Sequence, residues 1–444
     1  MKTAPLIAAV LLAASALGAA KPKPKEPELP FPPTLPGGKT IVTERSEEFL
    51  KPPSTLRPGV AVAKEAPTVD FMYYPGQDYP GKPWSVWGDG VCVGGKYYSA
   101  IGDHLAPAGT ARVFEYDPAT RSMRQLLDVK SLLKMPEGHY VPGKIHSRLD
   151  DGGDGWLYCG THRGSSRTTT DAFHYTGDWI LRVNPATLKA EVVARGVVPK
   201  HCIPCSVTDA KRGIFYGGTA AGSDAQDQSI QFFAYDLRHR KLLYSGPNGP
   251  GRYMILAGST GRVYFVPGEG GNGPLVRFDP AQPGKPVQIA ENFGLRAATT
   301  ETADGMVYSV SKAGRETATI WALNTRTEKV KEIGSANVGV QGYITTLDID
   351  PTGRFLYYTP GAHGGSEGDG TPIVQYDLKL KRAKVLAFLH PFYKDRYGAA
   401  LKGTFSAALD STGERYFTTW NTSRGSKAWD SCTLTVVQIP KSER

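Results

Sequence analysis

Between positions 143 and 179 the chain reads GKIHSRLDDGGDGWLYCGTHRGSSRTTTDAFHYTGDW, gathering His146, His162 and His174 with Arg148, Arg163 and Arg167. Histidine is the side chain whose ordinary pKa lets it give or take a proton near neutral pH. Arginine adds a permanent charge on a fork that matches a carboxylate or sulfate. A histidine on one strand (His146), followed by a His-Arg pair in the next loop (His162-Arg163), is therefore a candidate for proton transfer beside an anionic group. Read singly, His146 as a hydrogen-bonded structural residue and His162 as a loop cap would explain the same positions without chemistry.

A second cluster, His201-Cys202-Ile203-Pro204-Cys205, has the donor density of a zinc site. It supplies only three donors, so a metal would need a fourth from elsewhere. A Cys202–Cys205 disulfide and free thiols are the other two readings. It is not a haem-attachment motif, because the histidine precedes the cysteine pair. The chain carries no G-x-S-x-G, H-E-x-x-H or P-loop, and the glycine-rich stretches at 268–273 and 364–370 lack the Lys-Ser/Thr of a phosphate cradle.

These residues sit in a repeat. Seven segments share an apolar strand, a polar turn and a second strand with a central aromatic residue: KYYSAIGDH, GWLYCGTHRG, GIFYGGTAAG, GRVYFVPGEG, GMVYSVSKAG, RFLYYTPGAHG and ERYFTTWNTSRG. A third strand follows each, several of them ending in Asp-Pro, Asp-Leu or Asn-Thr, which start turns. One such unit cannot bury its own faces and must stack on its neighbours. The expectation is an all-β chain, a seven-bladed β-propeller whose radial repetition protects its strand edges. The last unit stops after its third strand, so Val60–Met72 is expected to supply the fourth and close the ring. The recurring Tyr98, Tyr158, Tyr216, Tyr264, Tyr308 and Tyr357 read as packing between blades.

In propellers the loops after second strands and those entering first strands open on one face. The loops after second strands would bring His104, His162, Arg163, Arg167, Glu269, Lys312, Arg315, His363 and Arg424 to that mouth. The entries to the first strands would add His146, His201, Tyr253, Arg296, Tyr343 and Thr404. His104, Arg167, Arg315, Tyr343, His363 and Arg424 are the expected ligand-binding residues among them.

Composition agrees. The chain has 444 residues with 51 Gly and 34 Pro spread along it, which speaks against a helical bundle. The net charge of +10 calls for an acidic partner, yet the one basic run, KPKPK at 21–25, lies in a proline-rich stretch, so an anionic polymer is expected rather than nucleic acid. Lys2, the apolar stretch from Leu6 to Leu17 and the small residues at 18–20 read as a signal peptide ending at 20. A secreted or periplasmic protein follows, with a proline-rich linker over 21–58 and a single propeller domain over 59–444. No later apolar run is long enough to span a membrane.

A signal peptide, seven β-units, a basic charge and a mouth rich in His, Arg and Tyr resemble the secreted seven-bladed propeller polysaccharide lyases, ulvan lyases especially. That resemblance implies β-elimination on a uronate-containing glycan. It also implies His146 and His162 as proton-transfer residues, Arg163 to neutralise the carboxylate and Tyr253 as the tyrosine. No cofactor is required, and a structural zinc on His201, Cys202 and Cys205 is a possible echo of some members. A non-catalytic propeller that binds a glycan or protein of the cell envelope is the alternative. A quinone-dependent oxidoreductase is disfavoured by the lack of a repeated tryptophan motif.

Overall fold

The structure, a computed structural model, describes residues 28–444, so the expected signal peptide lies outside the described residues. Seven small antiparallel sheets form a seven-bladed β-propeller. Blade 1 runs from the short inner strands Trp84–Ser85 and Val91–Val93 through Lys96–Asp103 and Ala111–Asp117 to Ser122–Asp128. Blade 2 begins at Lys144–Ile145 and Asp150–Asp151 and continues through Leu157–His162, Trp179–Asn184 and Lys189–Arg195. Blade 3 begins at His201–Asp209; the inner strands of blades 4, 5 and 6 are Ile255–Leu256, Ala297–Ala298 and Asp348–Ile349.

One local code builds each blade. Asp117, Asn184, Asp236, Asp279, Asn324 and Asp377 end third strands, and each accepts backbone N–H groups two or three residues on. Such Asx turns reverse the chain into the outer strand. Tight turns before second strands use glycine at positive φ, as at Gly213 (φ 69°). The central tyrosines lie between blades: Tyr216 donates to the Gly261 carbonyl of blade 4, and Tyr264 donates to Glu328 of blade 5.

The ring closes as the repeat count requires. Blade 7 consists of Ala400–Leu409, Arg415–Ser423 and Ser431–Gln438, and Thr68–Tyr73 pairs antiparallel with the last of these, from Thr68↔Gln438 to Tyr73↔Thr433. The expectation for 21–58 needs correction in its described part. Val42–Arg45 adds a fifth strand beyond Thr68–Tyr73, and Leu35 and Phe49 are buried in the blade 7 core. Alternating large apolar residues embedded among the prolines give this segment enough surface to bury, so it packs instead of trailing. Ala61–Val62 then pairs parallel with the outer strand of blade 6.

Candidate functional site

The mouth of the ring holds a basin of about 380 Å³. Trp87 is its hub. It precedes the first blade's repeat, and Gly88 lets it approach blade 2: a Cβ on Gly88 would sit 2.2 Å from the Ser147 carbonyl oxygen. The indole stacks on His146 (ring centroids 5.9 Å, 19° between planes) and contacts His104 at 4.7 Å, Phe405 at 4.8 Å and His363 at 5.6 Å. His146 in turn lies 5.2 Å from His162. Three histidines, from blades 1, 2 and 6, thus surround one indole, and a fourth, His162, packs on His146.

Their protonation follows from their partners. His146 Nδ1 is 2.8 Å from the Pro204 carbonyl and His162 Nδ1 is 2.9 Å from the Arg163 carbonyl. A carbonyl only accepts, so in each ring Nδ1 carries the hydrogen and Nε2 keeps a lone pair. Burial, with Lys144 and nearby arginines adding repulsion, holds both rings well below the ordinary histidine pKa. Burial and Lys144 lower His104 to about 3, and burial with Arg296 and Arg252 lowers His363 to about 4. All four rings are therefore neutral near pH 7.

The charge in the basin is cationic. Lys144, on the short strand that His146 directly follows, is only 7% exposed and has no carboxylate partner among the described residues; its Nζ sits 3.1 Å from His104 Nδ1 and 4.7 Å above the Trp87 ring. Burial, with Arg163 nearby, brings Lys144 down to about 7. Arg296 is 4% exposed, donates from Nε to the Tyr343 hydroxyl at 2.9 Å and lies over the Phe405 ring. It too lacks a carboxylate partner among the described residues. Arg252, by contrast, is paired with Glu269 at 2.5 Å.

The sequence-derived residues divide accordingly. His104, His146, His162, Arg163, Tyr343 and His363 come together in the basin. Arg163 is fixed there by donating to the Ala221 carbonyl at 2.7 Å. Tyr253 lies deeper along the axis: its hydroxyl donates to the Ala298 carbonyl at 3.0 Å and accepts from Arg148 at 3.3 Å, while burial raises it to about 12. It belongs to the channel below the basin, and Tyr343 is the tyrosine of the mouth. Arg315 is exposed on a shelf that adjoins the basin over blades 4 to 6, and Arg167 is exposed beyond the basin's edge. Arg424 serves the architecture: it pairs with Asp430 at 2.7 Å, donates to the Pro30 carbonyl and stacks over Phe31.

The second cluster does not assemble. Both ring nitrogens of His201 are engaged, by Thr219 Oγ1 at 2.9 Å and the Asp227 carbonyl at 3.0 Å. Cys202 packs into the core shared with blades 1 and 2, and Cys205 into the core between blades 3 and 4. Both are free thiols, and among the described residues no cluster of three or more His, Cys, Asp or Glu side chains could hold a metal. Of the three readings of this cluster, free thiols fit the residues as they are placed, and a zinc site or a Cys202–Cys205 disulfide does not.

Lys144, Arg252, Trp87 and Phe405 were not singled out by the sequence. Lys144 was recoverable, because strand alternation puts it on the same side as His146. Arg252 and Phe405 are each one position from a residue that was named, Tyr253 and Thr404. Trp87 carries no repeat signal at all.

No protein-family model and no curated protein matches the chain in sequence. Among solved structures, an oligogalacturonate lyase in complex with manganese is 11% identical, with a TM-score of 0.52, covering 91% of this chain and 98% of that one. A second oligogalacturonate lyase, from Vibrio parahaemolyticus, matches equally at 11% identity and a TM-score of 0.52, covering 91% and 99%. The shared property at that identity is the propeller fold.

Proposed function

We propose that this protein is a lyase of uronate-containing polysaccharides, acting by β-elimination in the basin at the propeller mouth. The observation that carries the proposal is Arg296, a buried permanent cation with no protein carboxylate beside it. A buried unpaired charge is costly, and an anionic ligand group removes that cost. Neutral histidines and an aromatic wall complete a surface suited to a sugar ring with one negative charge. The oligogalacturonate lyases of the same fold act on uronates, which supports the choice of substrate class.

In this reading Arg296, with Arg252 beside it, neutralises the substrate carboxylate and makes the C5 proton acidic. Lys144 is the base. A desolvated lysine near 7 is substantially unprotonated at neutral pH, whereas histidines held far below their ordinary value bind a proton too weakly to abstract one. The electron pair of the C5–H bond forms the C4–C5 double bond as the C4–O bond breaks. The departing oxygen takes a proton from Tyr343, whose hydroxyl accepts from Arg296 and so has its own hydrogen free to donate. Lys144 then returns its proton to solvent and Tyr343 regains one. His146 and His162 present Nε2 lone pairs to sugar hydroxyls.

Incubation with ulvan, polygalacturonate, alginate and glycosaminoglycans tests this. The expected result is growth of the ultraviolet absorbance of an unsaturated uronate on at least one polymer. Its absence on all of them, with ligand retained but uncut, would replace the lyase by a binding propeller.

A further inference from the structure

Directly below the basin the axis narrows to a cleft of about 20 Å³. Room for one water begins at roughly 10–15 Å³, so the cleft admits a single oxygen-sized group. His146, Arg148, Arg252, Tyr253 and Arg296 line it, together with Ser206 from the inner strand of blade 3 and Asp89, whose carboxyl accepts from the Gly90 and Ala407 N–H groups and is raised by burial to about 7. Ser206 is 2% exposed, and its hydroxyl has no hydrogen-bond partner among the described residues; nor has the Arg252 Nε, although the same guanidinium pairs with Glu269 through Nη2. Native structures rarely leave buried polar atoms unpaired, and each one calls for an explanation such as a ligand, a bound water or strain. Here two donors meet at one opening, on the floor of a basin that already holds the unpaired Arg296.

We propose that Ser206 and Arg252 form a slot for one oxygen of the substrate carboxylate, which makes Ser206 a specificity-determining residue. This rests on the uronate reading above. A carboxylate is flat and two-pronged: one oxygen descends to Ser206 and Arg252 while the other stays at basin level beside Arg296. An esterified or reduced carboxyl can enter but brings no charge to Arg252. The slot therefore selects the free uronate over a neutral or esterified sugar.

The test compares wild type with Ser206→Ala and Ser206→Cys on the polymer that gives the unsaturated product, in its native and carboxyl-esterified forms. A lone buried hydroxyl contributes nothing to the free protein, so both variants are expected to melt at or slightly above the wild-type temperature. Preference for the native polymer should fall about tenfold or more, as expected when a hydrogen bond to a charged group is removed. It should fall because kcat/KM on the native form drops, with that on the esterified form nearly unchanged. Unchanged preference overturns the slot and leaves the lyase standing. If no polymer is cleaved, the lyase reading fails, and affinity electrophoresis in the same uronate polymers decides the slot. Retardation of wild type that weakens in Ser206→Ala supports it; equal retardation, or none, overturns it.

Discussion

Two cations at the basin floor carry the chemistry by opposite routes. Arg296 offers a guanidinium that awaits an anion, while Lys144 answers burial by releasing its proton more readily. Replacing Arg296 with Ala should lower kcat/KM by about 10²–10³-fold, in line with removal of one preorganised charge-stabilising donor. Its melting temperature should hold or rise, because an unpaired buried charge has gone. Lys144→Met should abolish turnover while keeping polymer binding. In the wild type, kcat/KM should rise with pH through about 7, where Lys144 loses its proton, and then level off. The same group couples stability to pH. The unfolded chain holds this proton up to the ordinary 10.5 and the folded chain only to about 7. Between those values the unfolded state binds more protons, so this group makes stability rise with pH across that window. Urea midpoints measured from pH 6 to 10 should show the rise in wild type and its loss in Lys144→Met.

Within the blade, the outer turn is the repeated element, and it is strained in a regular way. Arg121, Leu188, Arg240, Glu328 and Lys381 occupy the same place after the Asx residue, all with φ between 50° and 57°. A side chain in that region costs about 1–2 kcal/mol. Leu188 is exposed and its N–H bonds the Asn184 carbonyl, so Leu188→Gly keeps the turn and loses no core contact. It should stabilise by about 0.5–1 kcal/mol, the part of the strain left after the flexibility glycine adds to the unfolded chain, seen as a higher urea midpoint. Such local codes explain what the sequence made legible. Asx residues and hairpin glycines act within a few residues and a central tyrosine recurs from blade to blade, so the blade count and the closing strand could be read directly. The site depended on geometry with period two, where a slip of one residue exchanges faces. Naming Tyr253 instead of Arg252, and Thr404 instead of Phe405, is that slip. Cys202 and Cys205 look like partners on paper, yet a bulge in their strand sends them to different cores. Denatured protein should accordingly titrate five free thiols without reduction, the number of cysteines in the chain.

At the scale of the whole molecule, the ring is a site-forming device, because the basin spans its seam. Phe405 comes from blade 7, and Trp87 and His104 from blade 1, so these neighbours across the basin are held together by closure. Closure itself rests on Thr68–Tyr73, whose Val69 and Phe71 are fully buried. The outer strand Val42–Arg45 only covers that strand's far edge. Removing residues 1–58 should therefore leave a folded ring that still binds the polymer and melts at a lower temperature, since Leu35 and Phe49 lose their places in the core. Removing residues 1–79 takes the closing strand away, leaves the Ser431–Gln438 edge unpaired and invites association through it. That protein should lose binding altogether and elute as aggregate in size exclusion, even though all the basin residues remain in the chain. A synthetic peptide covering 60–79, added during refolding, should restore the monomer and its polymer binding together. Restoration of one without the other would separate ring closure from site formation.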